Sequence, residues 1–137
     1  MEEGTILDLI YELKKKCTQR DEEFFNATEI TQAEYNMFLC LRNCKHFNSY
    51  SVAEKMQLSL SRVSRIIDKM VNKDFLSRTT NKLDRRAIDI KITEKGKEIM
   101  NQIIEYREMR ELNLQSKINK TEEGEIKSCI VKLTEIL

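Results

Sequence analysis

Between Ser64 and Gly96 the apolar residues change their period, and that change limits what the chain can fold into. Val63, Ile67 and Met70, with Ile66 and Val71 beside them, share one side of a helix expected from about Leu60 to Lys73. Arg62, Arg65 and Lys69 recur at spacings of three and four on another side. Then "AIDIKIT" sets Ile88, Ile90 and Ile92 against Asp89, Lys91 and Thr93, the two-residue alternation of a half-buried strand. Phe75 to Arg78 reads as its short partner, and "TTNKLDRR" joins the two as a hairpin whose tip carries adjacent charges.

Upstream, helix starts are marked by polar residues placed three before an acid. "TILD" from Thr5, "TQAE" from Thr31 and "SVAE" from Ser51 each fit a capping box, in which the hydroxyl accepts from a first-turn amide and the acid reaches back. Thr93 and Thr121 fit simpler caps. The first helix carries Ile6, Ile10, Leu13 and Cys17 as an apolar stripe, and "FFNATEI" is expected to connect it to a second helix from Gln32 to about Lys45. "HFNSY" reads as a loop and Ser51 to Met56 as a short third helix. The brief turn "QLS" before the fourth helix makes the pair a helix-turn-helix. A long helix through about Ile118 and a final helix with Ile126, Ile130, Leu133 and Leu137 complete the order. The expectation is a mainly α chain with a small β-hairpin wing, a winged helix-turn-helix flanked by terminal helices.

A chain of 137 residues suits one domain. The absence of proline and the presence of only three glycines leave long helices uninterrupted. Net charge is +1, but residues 51–95 hold 11 Lys/Arg against 6 Asp/Glu, a local excess of five, while both flanks are mildly acidic. A basic centre between acidic ends fits one surface for a polyanion. No apolar run approaches a membrane span, and the start lacks the parts of a signal peptide, so a cytoplasmic protein with no membrane partner is expected.

At "SVAEKMQLS", "SLSRVSRIIDKMVNKDFLSR" and "LDRRAIDIKITEKGKEI" the sequence resembles the MarR family of bacterial winged helix-turn-helix transcription regulators. The family's Ser-Arg pair matches Ser64 and Arg65, its strand-ending arginine Arg78, its wing Asp-x-Arg Asp84 and Arg86, and its Leu-Thr-x-x-Gly Ile92, Thr93 and Gly96. Asp74 and Gln57 stand where the family commonly has glycine. The resemblance implies a homodimer on a pseudo-palindromic double-stranded DNA operator, with a small-molecule effector in some relatives. It implies one MarR-like domain over 1–137, with a DNA-binding lobe at 31–96 and dimerisation helices at 1–30 and 97–137. The residues assigned to DNA are Ser61, Arg62, Ser64, Arg65 and Lys69 on the recognition helix and Arg78, Lys82, Asp84, Arg85 and Arg86 on the wing. Arg86 is expected in the narrow minor groove, Lys82 and Arg85 on phosphates, and Asp84 as a brace for Arg78 or Arg85. The apolar stripes of the terminal helices, Ile6, Ile10 and Leu13 with Ile126, Ile130 and Leu133, are assigned to the dimer.

Cys40 and Cys44 share a face of the second helix, and Cys17 completes a stripe of the first. Small hydrophobic filler is the foremost reading of these thiols. A redox sensor built on Cys17, Cys40 or Cys44 stands beside it, since "KKKCTQRD" is basic enough to favour a thiolate. The spacing is not Cys-x-x-Cys and His46 is a lone histidine in a polar loop, so no metal and no cofactor are expected. The chain offers no glycine-rich phosphate loop and no nucleophile–histidine–carboxylate set, so it is read as no enzyme. The competing function is a protein-interaction module on the same scaffold without DNA binding.

Overall fold

The computed structural model describes residues 4–42, 47–80, 82–84 and 88–137. The elements run α1 (Ile6–Thr28), α2 (Gln32–Leu41), β1 (Phe47–Asn48), α3 (Ser49–Met56), α4 (Leu60–Asn72), β2 (Leu76–Thr80), β3 (Ile88–Ile92), α5 (Glu94–Lys117) and α6 (Lys120–Ile136). The mainly helical class with a small antiparallel sheet is as expected. Two compact units divide the chain, residues 1–99 and 100–137. No helix among the described residues is long and apolar enough to cross a membrane.

The expected capping boxes at Thr5 and Thr31 are both formed. The Thr5 hydroxyl and backbone N–H both bond the Asp8 carboxylate, which holds that carboxyl below its ordinary range. Two other starts differ from expectation. Helix α3 begins two residues earlier, because Asn48 caps it: Asn48 Oδ1 accepts from the Ser51 N–H at 2.9 Å, so Ser51 sits inside the first turn. "HFNSY" is therefore not a loop at its described positions; Phe47 and Asn48 pair with β3 and Ser49 is already helical. Likewise Asn119, not Thr121, caps α6 and exchanges bonds with Glu122. "FFNAT" extends α1 instead of leaving it, and Glu29 ends the helix in the left-handed conformation at φ 57°. Phe24 and Phe25 lie 6.3 and 5.2 Å, edge to face, from Tyr35 of α2, and that aromatic contact favours carrying the helix through. Helix α2 spans Gln32–Leu41, and its expected end near Lys45 lies outside the described residues.

The sheet has the order β1-β3-β2. In the hairpin Leu76 pairs with Ile92 and Thr80 with Ile88, so β2 runs two residues beyond the expected Arg78. Ile90 is buried, Ile88 and Ile92 are half-buried and Lys91 is exposed. The fully buried Ser49 Oγ accepts from the Ile88 N–H at 3.1 Å, which fixes the start of α3 to β3.

The core of the first unit gathers Met37, Phe38 and Leu41 of α2, Val52 of α3, and Val63, Ile66, Ile67 and Met70 of α4, with Phe75, Leu76 and Ile90. Phe38 and Phe75 rings lie 5.6 Å apart. Burying the four α4 side chains is worth roughly 6–12 kcal/mol of gross transfer free energy before ordering entropy is counted. Asp74 ends the α4 region at φ 63° and Gln57 ends α3 at φ 54°, both in the left-handed conformation that favours glycine.

Gly96 is fixed by close approach. A Cβ there would stand 2.1 Å from the Phe75 carbonyl oxygen and 2.8 Å from Ile92 Cγ2. The same Phe75 carbonyl accepts from the Thr93 N–H, and Thr93 Oγ1 both donates to the Asp74 carbonyl and accepts from the Gly96 N–H at 3.0 Å. The start of α5 is thus strapped to the end of α4, and Thr93 is the expected cap. Gly96→Ala should lower stability by about 1–3 kcal/mol, since a backbone atom cannot turn aside as a side chain can. Urea unfolding monitored by circular dichroism checks this, and an unchanged midpoint would contradict the packing described.

Candidate nucleic-acid interface

The site is built on α4. Ser59 caps it by accepting from the Arg62 N–H at 3.1 Å, which sets the first turn free of the preceding chain. Val63, Ile66, Ile67 and Met70 are buried in the core, which turns the positions between them outward. Ser61, Arg62, Arg65 and Lys69 are exposed and Ser64 is half-buried. The i, i+3 and i, i+4 spacing places the three cations on one strip. Ser61, Arg62, Ser64 and Arg65 occupy the N-terminal half of the helix. A serine hydroxyl there can donate to or accept from a base edge or phosphate, and arginine presents a bidentate fork.

The wing follows directly. Arg78 is exposed on β2, and Lys82, Leu83 and Asp84 are exposed beyond it, with Leu83 98% exposed. Arg85 and Arg86, assigned to phosphate and minor groove, lie outside the described residues, as do Cys44 and His46. Arg78 forms an ion pair with Asp68 of α4, about half exposed on both sides. The guanidinium expected to be braced from within the wing is thus also tied to the recognition helix, by a carboxylate that sequence patterns did not single out. Asp68 precedes Lys69 on the same helix and reads locally as one more surface charge; only the fold brings it to β2.

A second ion pair holds the C-terminal end of α4. Lys73, its C-cap residue, places Nζ 2.7 Å from Glu34 Oε1 and 3.0 Å from the Glu29 carbonyl. Glu34 is 1% exposed, and its Oε1 also accepts from the Thr31 N–H at 2.9 Å. In sequence Glu34 shows only as the acid of a capping box.

Among the described residues no group of three His, Cys, Asp or Glu is placed to hold a metal ion. Cys17 and Cys129 are exposed and Cys40 is half-buried. Cys17 therefore fills no core within its own chain. Of the residues assigned to a dimer, Ile6, Leu13, Ile126 and Ile130 are exposed and Ile10 and Leu133 half-buried. An open groove of about 560 Å³ lies on the sheet, lined by Asn48, Asp89 and Thr79 on one rung, by Phe47 and Ile90 on the next, and by Lys91 and Ser77 on the one after.

Two helices joined at a left-handed Gln57, the second presenting a polar strip and followed by a strapped hairpin, define a winged helix-turn-helix. The MarR family pattern matches residues 30–88. The transcriptional regulator SarZ of Staphylococcus aureus is 24% identical over 97 residues, 71% of this chain. That match spans 66% of the relative's own length, just under two thirds. Among solved structures, the S. aureus MepR–DNA complex superposes with a TM-score of 0.84 at 18% identity, covering 97% of this chain and 98% of that one. Apo MarR from E. coli gives 0.75 at 19% identity, covering 97% and 98%. At such identities these structures establish the fold.

The Arg78–Asp68 pair is half-exposed, so its global worth is at most about 1 kcal/mol. Its local effect should be larger. In Asp68→Ala, amide exchange across Leu76–Thr80 is expected to speed severalfold while the urea midpoint barely moves. Equal protection of β2 in the two proteins would show that the pair does not restrain the wing.

Proposed function

We propose that the chain is a sequence-specific, double-stranded DNA-binding transcription regulator that acts as a cytoplasmic homodimer on a pseudo-palindromic operator. The observation that carries this is the α4 strip: Ser61, Arg62 and Arg65 are exposed on the N-terminal half of a helix that buries Val63, Ile66, Ile67 and Met70 on its other face. That is the part of a recognition helix that enters the major groove. Resemblance to regulators, not enzymes, supports the same reading, and so does the fold shared with a DNA-bound relative. In this proposal Arg65 and Arg62 read bases, Ser61 and Ser64 contact bases or phosphates, and Lys69, Lys82 and Arg85 meet phosphates. Arg86 enters the minor groove from the wing, with Arg78 and Asp84 holding the wing's form. Residues 31–96 form the DNA-binding lobe. Residues 1–30 and 97–137 supply the dimer, through exposed stripes that a second copy would cover by isologous packing. Release by a small ligand or an oxidant is the remaining part of the proposal.

Selection of bound duplexes from a random DNA library tests the whole reading. Enrichment of a two-fold symmetric sequence is expected, with affinity falling steeply as salt rises. A chain that recruits a protein partner instead would enrich nothing. Against the selected duplex, Arg65→Ala should cost about 1–3 kcal/mol per half-site and relax preference at one inner position. Lys82→Ala should weaken all duplexes alike and make the salt slope shallower by about one unit for each phosphate no longer neutralised.

Sedimentation at micromolar concentration should give about twice the 16.3 kDa chain mass. A monomer there would remove the symmetric operator along with the dimer.

A further inference from the structure

The Lys73–Glu34 pair lies at the C-terminal end of α4, beyond the residues proposed to meet DNA, and it joins three helices. Lys73 caps the C-terminus of α4, Glu34 stands in the first turn of α2, and the Glu29 carbonyl is the left-handed end of α1. The ammonium donates to the last two and lies 5.9 Å from the Phe75 ring centroid, so its position is set from several sides. Its partner is buried, and Glu34 Oε2 has no hydrogen-bond partner among the described residues. A buried carboxylate satisfied on one oxygen only is a poor stabiliser; two apolar or neutral groups of that shape would hold the fold as well. What a directional, charged tie does supply is a unique placement. Helix α4 has 13 residues and is about 20 Å long, so a tilt at the Lys73 end displaces Arg62 and Arg65 at the other.

We infer that Lys73 and Glu34 are positioning residues: they lock the recognition helix to the α1–α2 corner so that Arg62 and Arg65 meet base edges in one register. The inference rests on the DNA-binding reading above. It makes the pair a determinant of sequence discrimination, not of general affinity for duplex or of stability. The end of α1 becomes part of the same device, because its carbonyl shares the ammonium.

The test compares the wild type with Glu34→Gln/Lys73→Met, which removes both charges while keeping unbranched side chains of nearly the same length. Each protein is given the duplex selected by the wild type and a scrambled duplex, over a range of salt. The double variant should keep its thermal midpoint and its salt slope. Its preference for selected over scrambled duplex should fall roughly tenfold or more, as expected when bidentate arginines are misaligned with their bases. Lys73→Arg, which retains charge and reach, should keep most of that preference. A double variant that discriminates within twofold of wild type overturns the inference, as does a Lys73→Arg protein that loses as much as the double variant. If the double variant does not fold, Glu34→Gln alone is judged by the same ratio. A wild type that selects no duplex removes the DNA-binding reading itself, and that failure is visible before any variant is made.

Discussion

One helix has to face two environments at once, and the first unit is arranged around that constraint. Val63, Ile66, Ile67 and Met70 of α4 are buried, while Arg62, Arg65 and Lys69 stay in water. The apolar side has to be covered from α2, α3 and the sheet, and covering it leaves only one side open. Every other local device serves that division. Ser59 starts the helix outside the core, Asp74 ends it sharply, and the strap from Thr93 and Gly96 brings the next segment back over the same corner. The outward strip is thus as much a product of packing as the core is.

The ion pairs divide their work by burial. Asp68 and Arg78 meet at the surface, where water screens them and removal costs little globally; their role is to join wing and helix. Lys73 and Glu34 meet where one partner is wholly covered. Both pairs engage α4 through its C-terminal half, while the polar residues of its N-terminal half stand out in water. A helix anchored at one end and presented at the other suits a surface that must fit a partner of fixed geometry.

What could be read directly from sequence was what short-range pattern controls. The stripe of α4, the alternation of Ile88, Ile90 and Ile92, and the caps at Thr5, Thr31 and Thr93 all follow from neighbours within four residues. Where two polar residues competed for a cap, pattern alone chose wrongly: Asn48 won over Ser51 and Asn119 over Thr121, since an asparagine carbonyl accepts as well as a hydroxyl. The length of α1 was hidden because Phe24 and Phe25 take their partner, Tyr35, from another helix. Of the candidate site, the cations of α4 were legible as a strip. Asp68 and Lys73 were not, for their partners lie 10 and 39 residues away and no periodicity encodes such a meeting.

Glu29, Gln57 and Asp74 all hold positive φ, and none of them is glycine. A side chain in that conformation carries a strain of about 1–2 kcal/mol, less for asparagine-like residues such as aspartate. Each of the three closes a helix, and none belongs to the apolar core. The molecule therefore keeps an evolutionary reserve at its corners. A lineage moving to a warmer habitat could relax Glu29 or Gln57 to glycine and gain tolerance to heat, without repacking the interior or altering a single charge on the α4 strip.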